Sequence, residues 1–227
     1  MDADRISRRG ALARLAGFFG AALGLGSWSV GSSEGAGPAA VASGAVSCVL
    51  APEQTEGPYY IPGEKVRRNI TEGRPGVPLT LHLSVVDASS CRPIKGAAVD
   101  VWHCDALGTY SGVQGNRGTF MRGIQRTDAR GLAVFRTIYP GWYRGRTVHI
   151  HVKVHLGGNV VHTGQLYFSD ALTDRVFRRR PYSRRPNRDT RNATDSVFRN
   201  GGKRSLLSLR RSGSGYMGAI TMGVHRS

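Results

Sequence analysis

Thr147-Val148-His149-Ile150-His151-Val152-Lys153-Val154 is the stretch of this 227-residue chain whose residue types point most directly to chemistry. Apolar residues occupy every second place, at 148, 150, 152 and 154, and β-branched residues dominate, which predicts a β-strand. Side chains on a strand alternate between faces, so His149 and His151 point the same way. Two imidazoles on one face, backed by a hydrophobic face, can grip a single metal ion. Upstream, Gly108-Thr109-Tyr110-Ser111-Gly112 and Tyr139-Pro140-Gly141-Trp142-Tyr143 read as tight glycine-rich turns, each presenting a tyrosine. Two phenols with two imidazoles suit a hard, strongly Lewis-acidic ion, ferric iron above all. A phenol titrates near pH 10, so it becomes a tyrosinate ligand at neutral pH only where a cation displaces its proton. Taken singly, a His-x-His strand is more often a half-exposed strand, and a tyrosine in such a turn is more often a plain turn residue. The reading rests on the whole pattern.

These side chains need a rigid frame, and the chain predicts an all-β one. Strands are expected over Leu79–Val86, Ala97–Trp102, Ala133–Ile138 and Leu166–Phe168, besides the histidine strand. Short alternating strands without regular intervening helices argue for an antiparallel β-sandwich rather than a βαβ fold. Asp128-Ala129-Arg130-Gly131 has the composition of a hairpin turn. At 227 residues, with 31 glycines, the chain is long enough for one domain with a substantial core. There is no internal repeat, and neither phosphate-loop nor dinucleotide glycine motifs occur.

Five motifs in order resemble the intradiol ring-cleavage dioxygenases, the family of protocatechuate 3,4-dioxygenase and catechol 1,2-dioxygenase, in its secreted single-chain branch. They are Glu53-Gln54-Thr55-Glu56-Gly57-Pro58-Tyr59-Tyr60, Val101-Trp102-His103-Cys104-Asp105-Ala106 with the Gly-Thr-Tyr-Ser turn, Thr137–Tyr143, Val148–His151, and Gly164-Gln165-Leu166-Tyr167-Phe168. The resemblance runs from about Pro52 to Phe168. It implies a β-sandwich of that family's type with irregular loops and a basic C-terminal tail. It also implies one non-haem ferric ion per chain, held by Tyr110, Tyr143, His149 and His151. Tyr143 rather than Tyr139 matches, because the family's ligand follows the Pro-Gly pair by two positions; Tyr139 is then a packing residue. The implied reaction is cleavage of a catechol by O2, both oxygen atoms ending in a cis,cis-muconate-type diacid, with Tyr143 leaving as a base to take a catechol proton. Arg146 and Gln165 match residues the family places near the reacting ring. In a continuous strand Arg146 would face away from His149, so it must sit in a bend made by Gly145. His103, His155 and His162 match no role. Ring preference is expected to depend on Tyr59, Tyr60, Asp105, Trp142 and the loop from Val113 to Gly118.

The first 42 residues read as a twin-arginine export signal: Ser7-Arg8-Arg9-Gly10-Ala11-Leu12, a weakly hydrophobic run from Leu15 to about Val30, and a small-x-small site at Ala40-Val41-Ala42. The run is too short and glycine-rich for a stable membrane span. The domain then covers 43–227, and the protein is expected outside the cytosol or at the cell surface. There Cys48, Cys91 and Cys104 meet conditions where disulfides persist; Cys48 with Cys91 is the expected pair, since Cys104 belongs to the strand-turn beside the site. Net charge is +17, and Arg175 to Arg211 holds 13 Lys or Arg against only Asp189 and Asp195. Such a surface could attract anionic polymers or aromatic acids. No nucleic-acid motif accompanies it, and with only four lysines in the chain an arginine-biased composition accounts for most of it. The expected partners are a catecholic small molecule and O2, with a homo-oligomer open.

Two other readings come from different classes. Val85-Val86-Asp87 followed by Cys91–Ala97 resembles the strand-turn-strand of transthyretin-like sandwich modules, which would make the chain a non-catalytic surface-binding protein. Zinc at the histidine pair of a hydrolase lacks a third ligand and a general base.

Overall fold

The computed structural model describes Cys48 and residues 50–226; the expected signal segment, 1–42, lies outside them. Eight strands form two four-stranded sheets: β1 (Pro78–Asp87), β2 (Ala98–Trp102), β3 (Arg122–Arg126), β4 (Leu132–Ile138), β5 (His149–Leu156), β6 (Asn159–Tyr167), β7 (Ser208–Ser212) and β8 (Gly215–Val224). One sheet runs β4-β1-β8-β7 and the other β3-β2-β5-β6. Helix α1 (Asp170–Phe177), the one-turn helix α2 (Ser196–Arg199) and three short 3-10 turns fill the segment between β6 and β7.

Alternation on β1 puts Leu79, Leu81, Leu83 and Val85 on one face, all at most 1% exposed. They pack in one apolar cluster with Val99 and Val101 of β2 and Ile150, Val152 and Val154 of β5. Each such side chain contributes roughly 1.5–3 kcal/mol by burial, so the inter-sheet layer holds the sandwich together. Because the even-numbered residues of β5 face this core, His149, His151 and Lys153 face the opposite side of their sheet. That side is covered too. Residues 52–60 and 104–118 lie over it, so β5 is buried on both faces and the two histidines are nearly inaccessible.

Three features differ from the sequence reading. β1 and β8 run parallel, Leu79 beside Tyr216 and Asp87 beside Val224, whereas the other pairs among these strands are antiparallel. A strand that returns after so long an excursion can enter in either direction, whereas a short hairpin cannot. The expected basic tail is partly folded: β7 and β8 form a hairpin, and Met222 and Val224 enter the core. The turn at Asp128–Gly131 is real, its Asp128 carboxylate accepting from the N–H groups of Arg130 and Leu132, but it passes the chain from one sheet to the other instead of closing a hairpin. A second hairpin is closed at Gly157-Gly158, where two positive-φ glycines join β5 to β6. Cys48 and Cys91 form the expected disulfide, and Cys104 is free and buried. Among the described residues no helix is long and apolar enough to cross a membrane.

Candidate metal centre

β5 brings His149 and His151 to one face, their Nε2 atoms 3.1 Å apart. The Tyr143 hydroxyl lies 3.0 Å from His149 Nε2. The Tyr110 ring stands edge-on to Tyr143 at 5.6 Å and 6.3 Å from His151. All four expected ligands therefore meet, drawn from one strand and two loops. Trp102, opposite His151 on β2, stacks flat against that imidazole at 4.9 Å and fixes its plane. Gly57 closes the other side: a Cβ there would stand 3.2 Å from His151 Cε1, and its φ of +69° already favours glycine.

Proton positions follow from the neighbours. His149 Nδ1 lies 2.7 Å from the Thr147 carbonyl and must donate to it, which leaves Nε2 as a bare lone pair. Burial, then Arg146, pushes His149 down to about 3; burial and His149 hold His151 well below its ordinary value. Burial raises Tyr143 to about 12, with Arg146 only partly offsetting it, and burial with the nearby Tyr143 lifts Tyr110 well above 10. The protein alone thus presents neutral imidazoles and protonated phenols. The Tyr110 hydroxyl and His151 Nδ1 are sealed from solvent without a hydrogen-bond partner. A buried hydroxyl without a partner costs about 1–3 kcal/mol, so the fold bears a cost here that a cation would offset. No group of three or more His, Cys, Asp or Glu that could hold a metal occurs among the described residues. The mixed set of two phenols and two imidazoles is the candidate, and it fits a trivalent ion that converts phenols to phenolates.

Arg146 lies in the expected bend, with Gln165 in contact with it. The strand begins only at His149, and the Arg146 N–H reaches back to the Tyr143 carbonyl in a turn through Gly145. From that bend Arg146 Nη2 donates to Gln165 Oε1 at 2.5 Å, and Gln165 Nε2 donates to the Thr55 carbonyl. The other anchor was not foreseen. Asp195 Oδ2 accepts from Arg146 Nε at 2.9 Å and from the Thr147 N–H at 2.8 Å, while its Oδ1 caps α2 by accepting from Val197 and Phe198. Burial would raise this carboxyl, but the N–H groups of Phe198 and Thr147 and the guanidinium outweigh that and hold it below the usual carboxylate range. Asp189, the other acid of the arginine-rich run, accepts from the Gly145 N–H at 3.3 Å. The two carboxylates in that run both pin the bend that aims Arg146. Their isolation among 13 basic residues was the available signal.

Other expectations sort themselves by contact. Tyr59 belongs to the site, 4.6 Å from Tyr110 and 6.2 Å from Tyr143, with Gln114 of the 113–118 loop on its hydroxyl. Tyr60 turns toward Trp102 and Lys153. Asp105 is spent on the Leu107 and Thr109 N–H groups of the turn that carries Tyr110, and Trp142 is held by Arg185. Tyr139 is a packing residue, its hydroxyl 2.7 Å from Thr173. His103 is satisfied by the Cys104 carbonyl and Thr137, and His162 pairs with Glu53.

Fold and donor set together define a β-sandwich with a candidate tyrosine–histidine metal centre. Comparison with known proteins says which. Residues 55–178, over half of the chain, match the family described as Dioxygenase. An intradiol ring-cleavage dioxygenase from Tetranychus urticae is 35% identical with a TM-score of 0.74, covering 78% of this chain and 95% of that one. The dioxygenase domain of a carbohydrate-binding fusion protein from Streptomyces sp. SirexAA-E is 35% identical with a TM-score of 0.62, covering 78% and 99%. Catechol 1,2-dioxygenase 1 of Acinetobacter lwoffii is 32% identical over 100 residues, 40% of this chain and 32% of the relative. The match thus spans about a third of that curated relative. The chain belongs to the intradiol ring-cleavage dioxygenase family.

Proposed function

We propose that this protein cleaves a catechol-type aromatic diol between its two hydroxylated carbons, using O2 and one ferric ion held by Tyr110, Tyr143, His149 and His151. The convergence of those four donors, with the Tyr110 hydroxyl left without a partner, is the observation that carries the proposal. Diol and O2 combine with no atom lost, giving a cis,cis-muconate-type dicarboxylate. Bound iron supplies Lewis acidity and a template for a bidentate diol.

The chain's own residues do the rest. Tyr143 is the more accessible tyrosine, so, as the phenolate that a bound ferric ion would make of it, it is the one that swings aside and takes a diol proton at its phenolate oxygen. Arg146, fixed from both ends by Asp195 and Gln165, places a cation where negative charge develops on the ring. Tyr59 walls the space beside Tyr110, and Gly57 leaves room against His151. The surface-module alternative gives no reason for four convergent donors and a braced guanidinium. The proposal includes export by the twin-arginine route with the mature chain starting near Ser43; the Cys48–Cys91 disulfide, a bond that persists outside the cytosol, supports it.

The test is turnover of catechol under 18O2 with the iron-loaded protein. Incorporation of both labelled atoms into a muconate-type product is expected. An aldehyde-bearing product, from cleavage outside the diol, would overturn the reading, as would no turnover of catechol, hydroxyquinol or protocatechuate.

A further inference from the structure

We propose a second ligand site: an arginine-walled groove on the other sheet that takes an organic polyanion with an apolar carbon skeleton. The groove has a volume of about 670 Å³, room for a one- or two-ring molecule. Two periodicities build it. Leu172, Arg175, Arg178 and Arg179 project to one side of α1 and its C-terminal turn, at helical spacings of three and four. Leu207, Leu209 and Arg211 stand on one side of the β7 segment, at alternate positions, and Tyr216 of β8 lies across from Arg211 in register. The leucines and the tyrosine make the floor, and four guanidiniums make the wall. None of the lining residues belongs to the metal centre.

The charge in the groove is uncompensated. No acidic residue lines it, and none of the four arginines has a carboxylate partner among the described residues. The acids of α1 are engaged elsewhere: Asp170 pairs with Arg188, and Asp174 with Arg188 and Arg191. Arg179 is steadied by the Ser214 carbonyl at 3.4 Å, and Arg211 lies over the Tyr216 ring at 5.7 Å. Guanidinium forks match planar carboxylates bidentately, and several forks around one concavity select a multiply charged anion. The apolar floor separates this site from a bare cationic patch. It favours an anion carrying rings or alkyl carbon over inorganic phosphate or a hydrophilic polymer.

Calorimetric titration of the full iron-loaded protein with benzene-1,3,5-tricarboxylate, at about 0.1 M salt to screen diffuse attraction, tests this. Pyrophosphate and heparin serve as comparison ligands. One saturable tricarboxylate site per chain is expected. The Arg175→Glu/Arg179→Glu double variant should weaken it about tenfold or more, as expected for loss of charge-assisted hydrogen bonds. Leu209→Ser, which changes no charge, should weaken the tricarboxylate severalfold and leave pyrophosphate unchanged. The proposal fails if the double variant binds like wild type, or if Leu209→Ser affects both ligands equally. It fails too if heparin binds in preference and reversal of Arg68 and Arg92, outside the groove, weakens binding as much.

Discussion

Replacing Tyr110 with Phe should stabilise the metal-free protein and disable the metal-loaded one. The Tyr110 hydroxyl is sealed from water and makes no well-formed hydrogen bond in the protein alone, although the Tyr143 hydroxyl lies beside it. Leaving such a group unpaired costs about 1–3 kcal/mol, and Phe keeps the ring that packs against Tyr59 and Tyr143. Deleting one oxygen opens only a small void, so the net gain expected without metal is about 1 kcal/mol. In a domain of this size that raises Tm by roughly 2–4 °C. With ferric iron the order reverses. The variant has lost one of two phenolates, and even an outer-shell contact to a metal site controls 10–100-fold in affinity, so loss of a ligand should exceed about 100-fold. Metal binding adds stability by mass action, and the wild type alone would gain it fully. The assay is urea denaturation of both proteins, chelated and then iron-loaded. Crossed stabilities are predicted. A variant less stable than wild type without metal, or one that takes up iron equally well, would refute the reasoning.

Asp195→Asn should cost about 3 kcal/mol: the amide keeps the cap on α2 but turns N–H donors toward Arg146 and the Thr147 N–H, leaving two donors unmet. Denaturation measures that loss, and a fall in kcat with iron content unchanged separates lost aim of Arg146 from lost metal. Tyr143→Phe should lower kcat by about 100-fold or more while the fold persists, since it removes the phenolate oxygen proposed to accept the diol proton; full activity would sink that role. Gly57→Ala should impair turnover, because a Cβ 3.2 Å from His151 Cε1 presses on the imidazole proposed as a ligand and φ is +69°; unchanged turnover would show that His151 can yield. Glu72 is lowered to about 2 by hydrogen bonds from Thr119 and Arg67. Its contribution is present above the ordinary carboxylate value of 4.5 and is lost as pH falls toward 2. Glu72→Gln should therefore cost about 1 kcal/mol at pH 7, after discounting for solvent screening, and nothing near pH 2, as paired melts would show.

The histidine pair was legible because period-two alternation fixes which side chains share a face, whatever the sheet is packed against. That both faces of β5 would be buried was not legible. The cover comes from residues 52–60 and 104–118, and alternation says nothing of what lies over a face. Tyr110 and Tyr143 were readable only as turn tyrosines until the family resemblance chose between Tyr139 and Tyr143. The need for a bend at Gly145 followed from parity once the family resemblance put Arg146 beside the site, because a strand could not bring Arg146 and His149 to one face. What holds the bend, Asp195 and Asp189, lies more than 40 residues away and left only the sign of two isolated acids. β8 escaped notice because Gly215, Gly218 and Gly223 interrupt its alternation. Its parallel pairing with β1 depends on where a distant segment returns, which local sequence does not encode.

The visible absorption spectrum of the iron-loaded protein, before and after anaerobic addition of catechol, tests the central claim most directly. Two tyrosinates on ferric iron predict a wine-red charge-transfer band that moves to longer wavelength when catechol binds. A protein that stays colourless after ferric reconstitution and does not respond to catechol would contradict the ligand set and the proposed substrate class together.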